Sequence, residues 1–119
     1  MDDRLQVVLL LDYYGKLLSD KQYIAMTSYY YDDLSLIEIA KNQNITKQAV
    51  SDLIRRSEKK LYEIENELNM INRNIELRKK LELLNEDFTN LYDIIGNSEC
   101  IEKVEIIHDK LNTIISKII

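Results

Sequence analysis

Apolar positions recur at spacings of three and four along almost the whole chain, the signature of amphipathic helices and not of strands. The first run predicts a helix from about Asp3 to Tyr14 that buries Leu5, Val8, Leu9 and Tyr13. Gly15 then offers a left-handed C-cap to stop it. Ser19, with Gln22 three residues on, is a capping box: hydroxyl and side-chain amide each satisfy an orphan amide, opening a helix from about Asp20 to Tyr31. At its end stand Tyr29, Tyr30 and Tyr31. Three consecutive residues span about 200° of helix, so one or two pack inward and the rest only partly. That packing is favoured over a role in stacking bases.

Ser35 with Glu38 is a second capping box, followed by Leu36, Ile39 and Ala40 on one face. Ala40 is small where a following helix must cross closely. Asn44 falls where a turn needs a left-handed residue, and Thr46 is the next N-cap. In the second helix Val50, Leu53, Ile54 and Leu61 cluster on the side that packs against the first. Two short helices joined in this way predict a helix-turn-helix, which sets its second helix in a DNA major groove.

Beyond it the spacing becomes heptad-like. Leu61, Ile64, Leu68, Ile71 and Ile75 form one stripe; Leu77, Leu81, Leu84, Phe88, Leu91 and Ile95 form another, shifted in phase. The jump falls in Asn72-Arg73-Asn74 and predicts a bend or a change of helix there. Gly96-Asn97-Ser98 reads as a turn with Ser98 as a cap, and Ile101, Val104, Ile107, Leu111, Ile114 and Ile118 as the face of a last helix. The expected fold is therefore all-α: a tri- or tetra-helical helix-turn-helix domain over residues 1–62, then long amphipathic helices over 63–119. These seams call for an antiparallel hairpin and a second copy of the chain, so a homodimer is expected.

Composition sharpens this picture. The chain has 119 residues, no proline and two glycines, so few helix breakers. Its formal charge is −5, yet residues 41–60 hold six basic side chains against Asp52 and Glu58. A basic patch on an acidic protein argues for local, not general, contact with nucleic acid. The acidic Met1-Asp2-Asp3 start and the short apolar run Val7–Leu11 predict neither a signal peptide nor a membrane span. One cysteine, Cys100, forms no internal disulfide, which suits the cytoplasm.

The candidate nucleic-acid-binding residues lie on the polar side of the second helix: Lys47, Gln48, Ser51, Asp52, Arg55, Arg56 and Lys59. Lys47, Gln48 and Ser51 are placed to approach base edges, and Arg55, Arg56 and Lys59 to hold phosphates. Asp52 is the exception. It either pairs with Arg55 or Arg56 at i+3 and i+4, or accepts from a cytosine amine. Catalysis has no support in the residues. His108 is the one histidine, read as a polar-face residue; with Cys100 it cannot make a four-ligand zinc site. No glycine-rich phosphate loop, metal set or cofactor motif is present, so an enzyme is not expected.

From Leu11 to Leu61 the chain resembles the YlxM family of small bacterial proteins, themselves similar to a free-standing sigma-factor region four. The likeness is carried by Leu11-Asp12-Tyr13-Tyr14-Gly15-Lys16-Leu17-Leu18-Ser19-Asp20-Lys21-Gln22, Tyr30, Asp33-Leu34-Ser35-Leu36 and Glu38-Ile39-Ala40. Gln48-Ala49-Val50, Asp52, Ile54, Arg56 and the run from Glu58 to Leu61 complete it. The family's second helix usually opens Ser-Arg-Gln-Ala-Val, whereas here it is Thr46-Lys47-Gln48-Ala49-Val50; lysine lacks arginine's bidentate fork. The resemblance implies a link, chiefly by gene neighbourhood, to the signal recognition particle. Two functions follow as expectations: a DNA-binding regulator associated with that pathway, or an adaptor that contacts the particle's GTPase or RNA without binding DNA. A sigma-like contact with RNA polymerase ranks below both.

Overall fold

The structure is a computed structural model that describes residues 3–96 and 99–118. Its elements are α1 (Asp3–Tyr14), a single 3-10 turn (Gly15–Leu17), α2 (Asp20–Tyr30), α3 (Leu36–Gln43), α4 (Lys47–Leu68), α5 (Met70–Ile95) and α6 (Ile101–Ile118). No strand occurs among the described residues. Two compact units divide between Ile71 and Asn72. Leu61, Ile64 and Ile71 belong to the core of the first unit. The phase jump in the apolar stripe falls at this division, whereas the helix break lies just before it. Asn69, not Asn72–Asn74, leaves the helix, at φ 54° and ψ 28°. Asparagine tolerates this left-handed conformation, and its amide still donates to the Glu65 carbonyl at 2.7 Å.

In the first unit α4 is the hub, packed by α1, α2 and α3. The core comprises Val7, Leu10, Leu11 and Tyr14 of α1, Leu18, Ala25 and Met26, Ile39 and Ala40 of α3, Val50, Ile54 and Leu61 of α4, and Ile71. The buried face of α1 therefore differs from the expected one: Leu5 is 63% exposed and Tyr13 38%, while Val8 and Leu9 are half-buried. The run Val7–Leu11 offers overlapping apolar faces, and a polar tip decides between them. Tyr14 goes inward because its hydroxyl donates to Glu65 Oε1 at 2.6 Å; the same oxygen accepts from the Ile71 amide at 3.1 Å.

Gly15 also serves differently from expectation. It starts the 3-10 turn without a left-handed φ, and a Cβ there would sit 3.1 Å from both Leu11 Cδ1 and Tyr23 Cε2. Room for the Leu11 and Tyr23 side chains, not backbone freedom, is what glycine supplies here. Ser57, which the apolar pattern does not mark, is fully buried on α4; its hydroxyl donates to the Leu53 carbonyl at 2.6 Å.

The second unit is a helical hairpin. Gly96, at φ 60°, ends α5 with its amide on the Tyr92 carbonyl at 3.0 Å; Asn97 and the expected cap Ser98 lie outside the described residues. Phe88, seven residues before the end of α5, stacks on His108, seven residues into α6, with ring centroids 4.8 Å apart. That symmetry about the turn makes the pair antiparallel. His108 is thus a seam residue and not the polar-face residue its chemistry suggested. Its Nδ1 meets the Tyr92 hydroxyl at 3.0 Å and its Nε2 meets Asn85 Oδ1. Cys100 is exposed just before α6. The inward α6 positions are Ile101, Val104, His108, Leu111, Ile115 and Ile118, leaving Ile107 and Ile114 half exposed.

Candidate nucleic-acid interface

The α3–α4 pair is built from local signals. Ser35 Oγ accepts from the Glu38 amide at 3.2 Å and Glu38 Oε1 from the Ser35 amide at 3.3 Å, a closed capping box at the start of α3. Asn44 ends α3 in the left-handed region at φ 56° and ψ 44°, and the Ile45 amide reaches back to the Ala40 carbonyl at 3.0 Å. Thr46 Oγ1 then accepts from the Ala49 amide at 3.0 Å and opens α4. Only Asn44, Ile45 and Thr46 separate the helices, and Ile39 and Ala40 of α3 are buried with Val50 and Ile54 of α4. The turn's geometry leaves the opposite side of α4 to solvent.

Six of the seven candidate residues stand on or beside that side, and Lys47 is exposed at the N-terminal end of the helix. Lys47, Gln48, Ser51, Arg55, Arg56 and Lys59 are exposed and Asp52 is half-buried. At about 1.5 Å per residue, Lys47 and Lys59 lie roughly 18 Å apart along the axis. A major groove is about 12 Å wide, so the first two turns of α4 can reach base edges while Arg55, Arg56 and Lys59 meet its walls. Asp52 Oδ1 accepts from Arg55 Nη2 at 2.9 Å, an i,i+3 ion pair. Lys47, Arg56 and Lys59 have no carboxylate partner among the described residues. Lys41, in the last turn of α3, adds an exposed cation that the wheel of α4 alone could not place.

Aromatic groups brace this surface from behind. Tyr30 on α2 donates its hydroxyl to Glu58 on α4, and Tyr31 donates to Asp12 on α1. Burial, and then the accepting carboxylate, push both phenols above their ordinary pKa. Arg4 lies over the Tyr29 and Tyr30 rings at 5.5 and 5.1 Å and donates to Asp33 Oδ1 at 2.8 Å. The tyrosine triplet is thus engaged at the helix end: Tyr29 and Tyr30 are partly buried against the core, and Tyr31 is exposed on its outer edge. The Tyr30–Glu58 bond, invisible in either helix's own pattern, ties α2 to α4 beside the basic side chains. No helix is long and apolar enough to cross a membrane among the described residues.

The comparisons agree with this architecture. Residues 1–104 match the family described as "UPF0122: Putative helix-turn-helix protein, YlxM / p13 like". A UPF0122 protein of Clostridium novyi is 40% identical over 91 residues, 76% of this chain and 79% of its own. One from Malacoplasma penetrans is 42% identical over 97 residues, covering 82% and 89%. One from Clostridium acetobutylicum is 35% identical over 116 residues, covering 95% and 97%. Capping boxes, left-handed turn and basic α4 face therefore sit in a chain that belongs to the UPF0122 family of YlxM/p13-like helix-turn-helix proteins.

Proposed function

We propose that the protein is a cytoplasmic DNA-binding regulator that lays α4 in a major groove and acts as a homodimer through its C-terminal helices. The observation that carries this reading is the exposed surface of α4, where Lys47 at the N-terminal end and Arg56 and Lys59 further along have no carboxylate partners among the described residues, on a helix locked by caps at both sides of the turn. Lys47, Gln48 and Ser51 approach bases; Arg55, Arg56 and Lys59 hold phosphates. The sigma-region-four likeness supports the docking mode, and the resemblance to proteins linked with the signal recognition particle supports target sequences in that pathway.

The test is anisotropy of labelled duplexes from the protein's own operon across a salt series. Three or four phosphate contacts give a log–log slope of about −3 to −4, and Arg56→Ala with Lys59→Ala flattens it by about 2 for every sequence. A slope near zero, or a double variant that binds as well as the parent, refutes the reading. One observation favours the rival adaptor function: the ion pair with Asp52 leaves Arg55 less free for phosphate. The same titration on the particle's RNA, and on its purified GTPase, discriminates. Saturable binding to either, with none to duplex, makes the protein an adaptor.

A further inference from the structure

Among its described residues the C-terminal hairpin buries one side chain, Leu111, while Leu77, Leu84 and Leu91 on α5 and Ile107 and Ile114 on α6 remain between 37% and 54% exposed. Both sets repeat every seven residues. At about 100° per residue, the α5 stripe is rotated about 60° from its inward seam and the α6 stripe about 80° from its own, in the same sense. In antiparallel helices equal-sense rotations fall on one side, so these five side chains share one apolar face of the hairpin, while Leu83, Ile94 and Ile106 are exposed elsewhere on it. An apolar band that wide belongs to a bundle core rather than to a two-helix seam.

Charge on the same hairpin is segregated along its length. The turn end, residues 82–109, has eight acidic residues and one lysine. The open end, 72–81 with 110–119, has six basic residues and Glu76. Such a hairpin is complementary to an inverted copy of itself.

We infer that two hairpins pack face to face in opposite directions as a four-helix bundle, the acidic turn end of each against the basic open end of the other. This rests on the dimeric reading above and assigns its interface and orientation. A two-fold axis across the helices near Leu84 sets Leu84 against its own copy and Leu77 against the partner's Leu91, and brings Ile107 within about one turn of the partner's Ile114. The same register brings Lys80 beside the partner's Asp87. An axis running along the helices would bury the same face but stack acid on acid. Charge is therefore what selects between the two symmetric dimers.

The one cysteine, Cys100, stands exposed at the turn end and reports the orientation directly. The full chain, spin-labelled there, is measured by sedimentation equilibrium and pulsed dipolar spectroscopy. The opposed bundle gives a dimer with labels roughly 35–45 Å apart, from about 12 residues of helix on each side of the axis. A dimer with labels closer than about 20 Å overturns the orientation and leaves the dimeric reading standing. A monomer throughout the micromolar range overturns both and assigns the face to another protein. Lys80→Glu should loosen the dimer about fivefold and added Asp87→Lys should restore it. Leu84→Glu, at an exposed position, should abolish it with helix content unchanged; a dimer that survives Leu84→Glu also refutes the interface.

Discussion

Asp52→Asn isolates the one carboxylate among the candidate residues of α4. The carboxylate accepts from Arg55 at 2.9 Å, with the two side chains 39% and 75% exposed. An exposed i,i+3 pair contributes about 0.3 kcal/mol to the helix, so the isosteric amide should hardly change unfolding. Its effect on DNA is larger and opposite in sign. A carboxylate about 7 Å from a phosphate costs about 0.6 kcal/mol in water. Freeing Arg55 for that phosphate adds a few tenths more. Together these approach about 1 kcal/mol, a fivefold tightening, and releasing Arg55 fully to its phosphate steepens the log–log salt slope by up to about 0.9. The assay is anisotropy of a fixed duplex at several salt concentrations, with urea unfolding as the control. A loss of affinity confined to duplexes carrying one particular cytosine would show that Asp52 reads a base. Unchanged affinity and slope would show that α4 does not meet DNA through this face.

Asn44→Ala should destabilise the first unit by about 1–2 kcal/mol, because alanine at φ 56° meets its own backbone, whereas Asn44→Gly should be close to neutral; thermal unfolding of the pair separates the conformational cost from any lost side-chain contact. Gly15→Ala should cost about 1–2 kcal/mol although its backbone is unstrained, since the new Cβ falls 3.1 Å from buried Leu11, and a Leu11→Val background should relieve part of the loss in urea unfolding. Tyr14, Tyr30 and Tyr31 hold their protons more tightly folded than unfolded. Their contribution is therefore intact below the ordinary tyrosine pKa of about 10 and is lost as pH rises through the raised folded values. Urea midpoints should fall between pH 9 and 11, less steeply in Tyr30→Phe; identical profiles for the two would refute the Tyr30–Glu58 contribution.

The sequence by itself determined what local chemistry determines. Ser19/Gln22 and Ser35/Glu38 announce helix starts because their groups satisfy amides three residues away, and Asn44 announces the turn because few residues accept a left-handed backbone. Alternation of apolar and basic positions on α4 was equally legible, since both faces belong to one helix and need no knowledge of its neighbours. Helix α1 was different: Val7–Leu11 supports several inward faces, and only α4, offering Glu65 to the Tyr14 hydroxyl, selects one. The seam position of His108 and the grip of Tyr30 on Glu58 likewise had alternatives that only packing closed. Gly15 shows the same division, its meaning lying in Tyr23 eight residues away and not in its own φ. Short-range hydrogen bonding and periodicity are written in neighbouring residues, so they can be read along the chain. The choice between equally apolar faces, and between equally plausible polar partners, depends on what another helix brings to that side, and that was decided only when the helices packed.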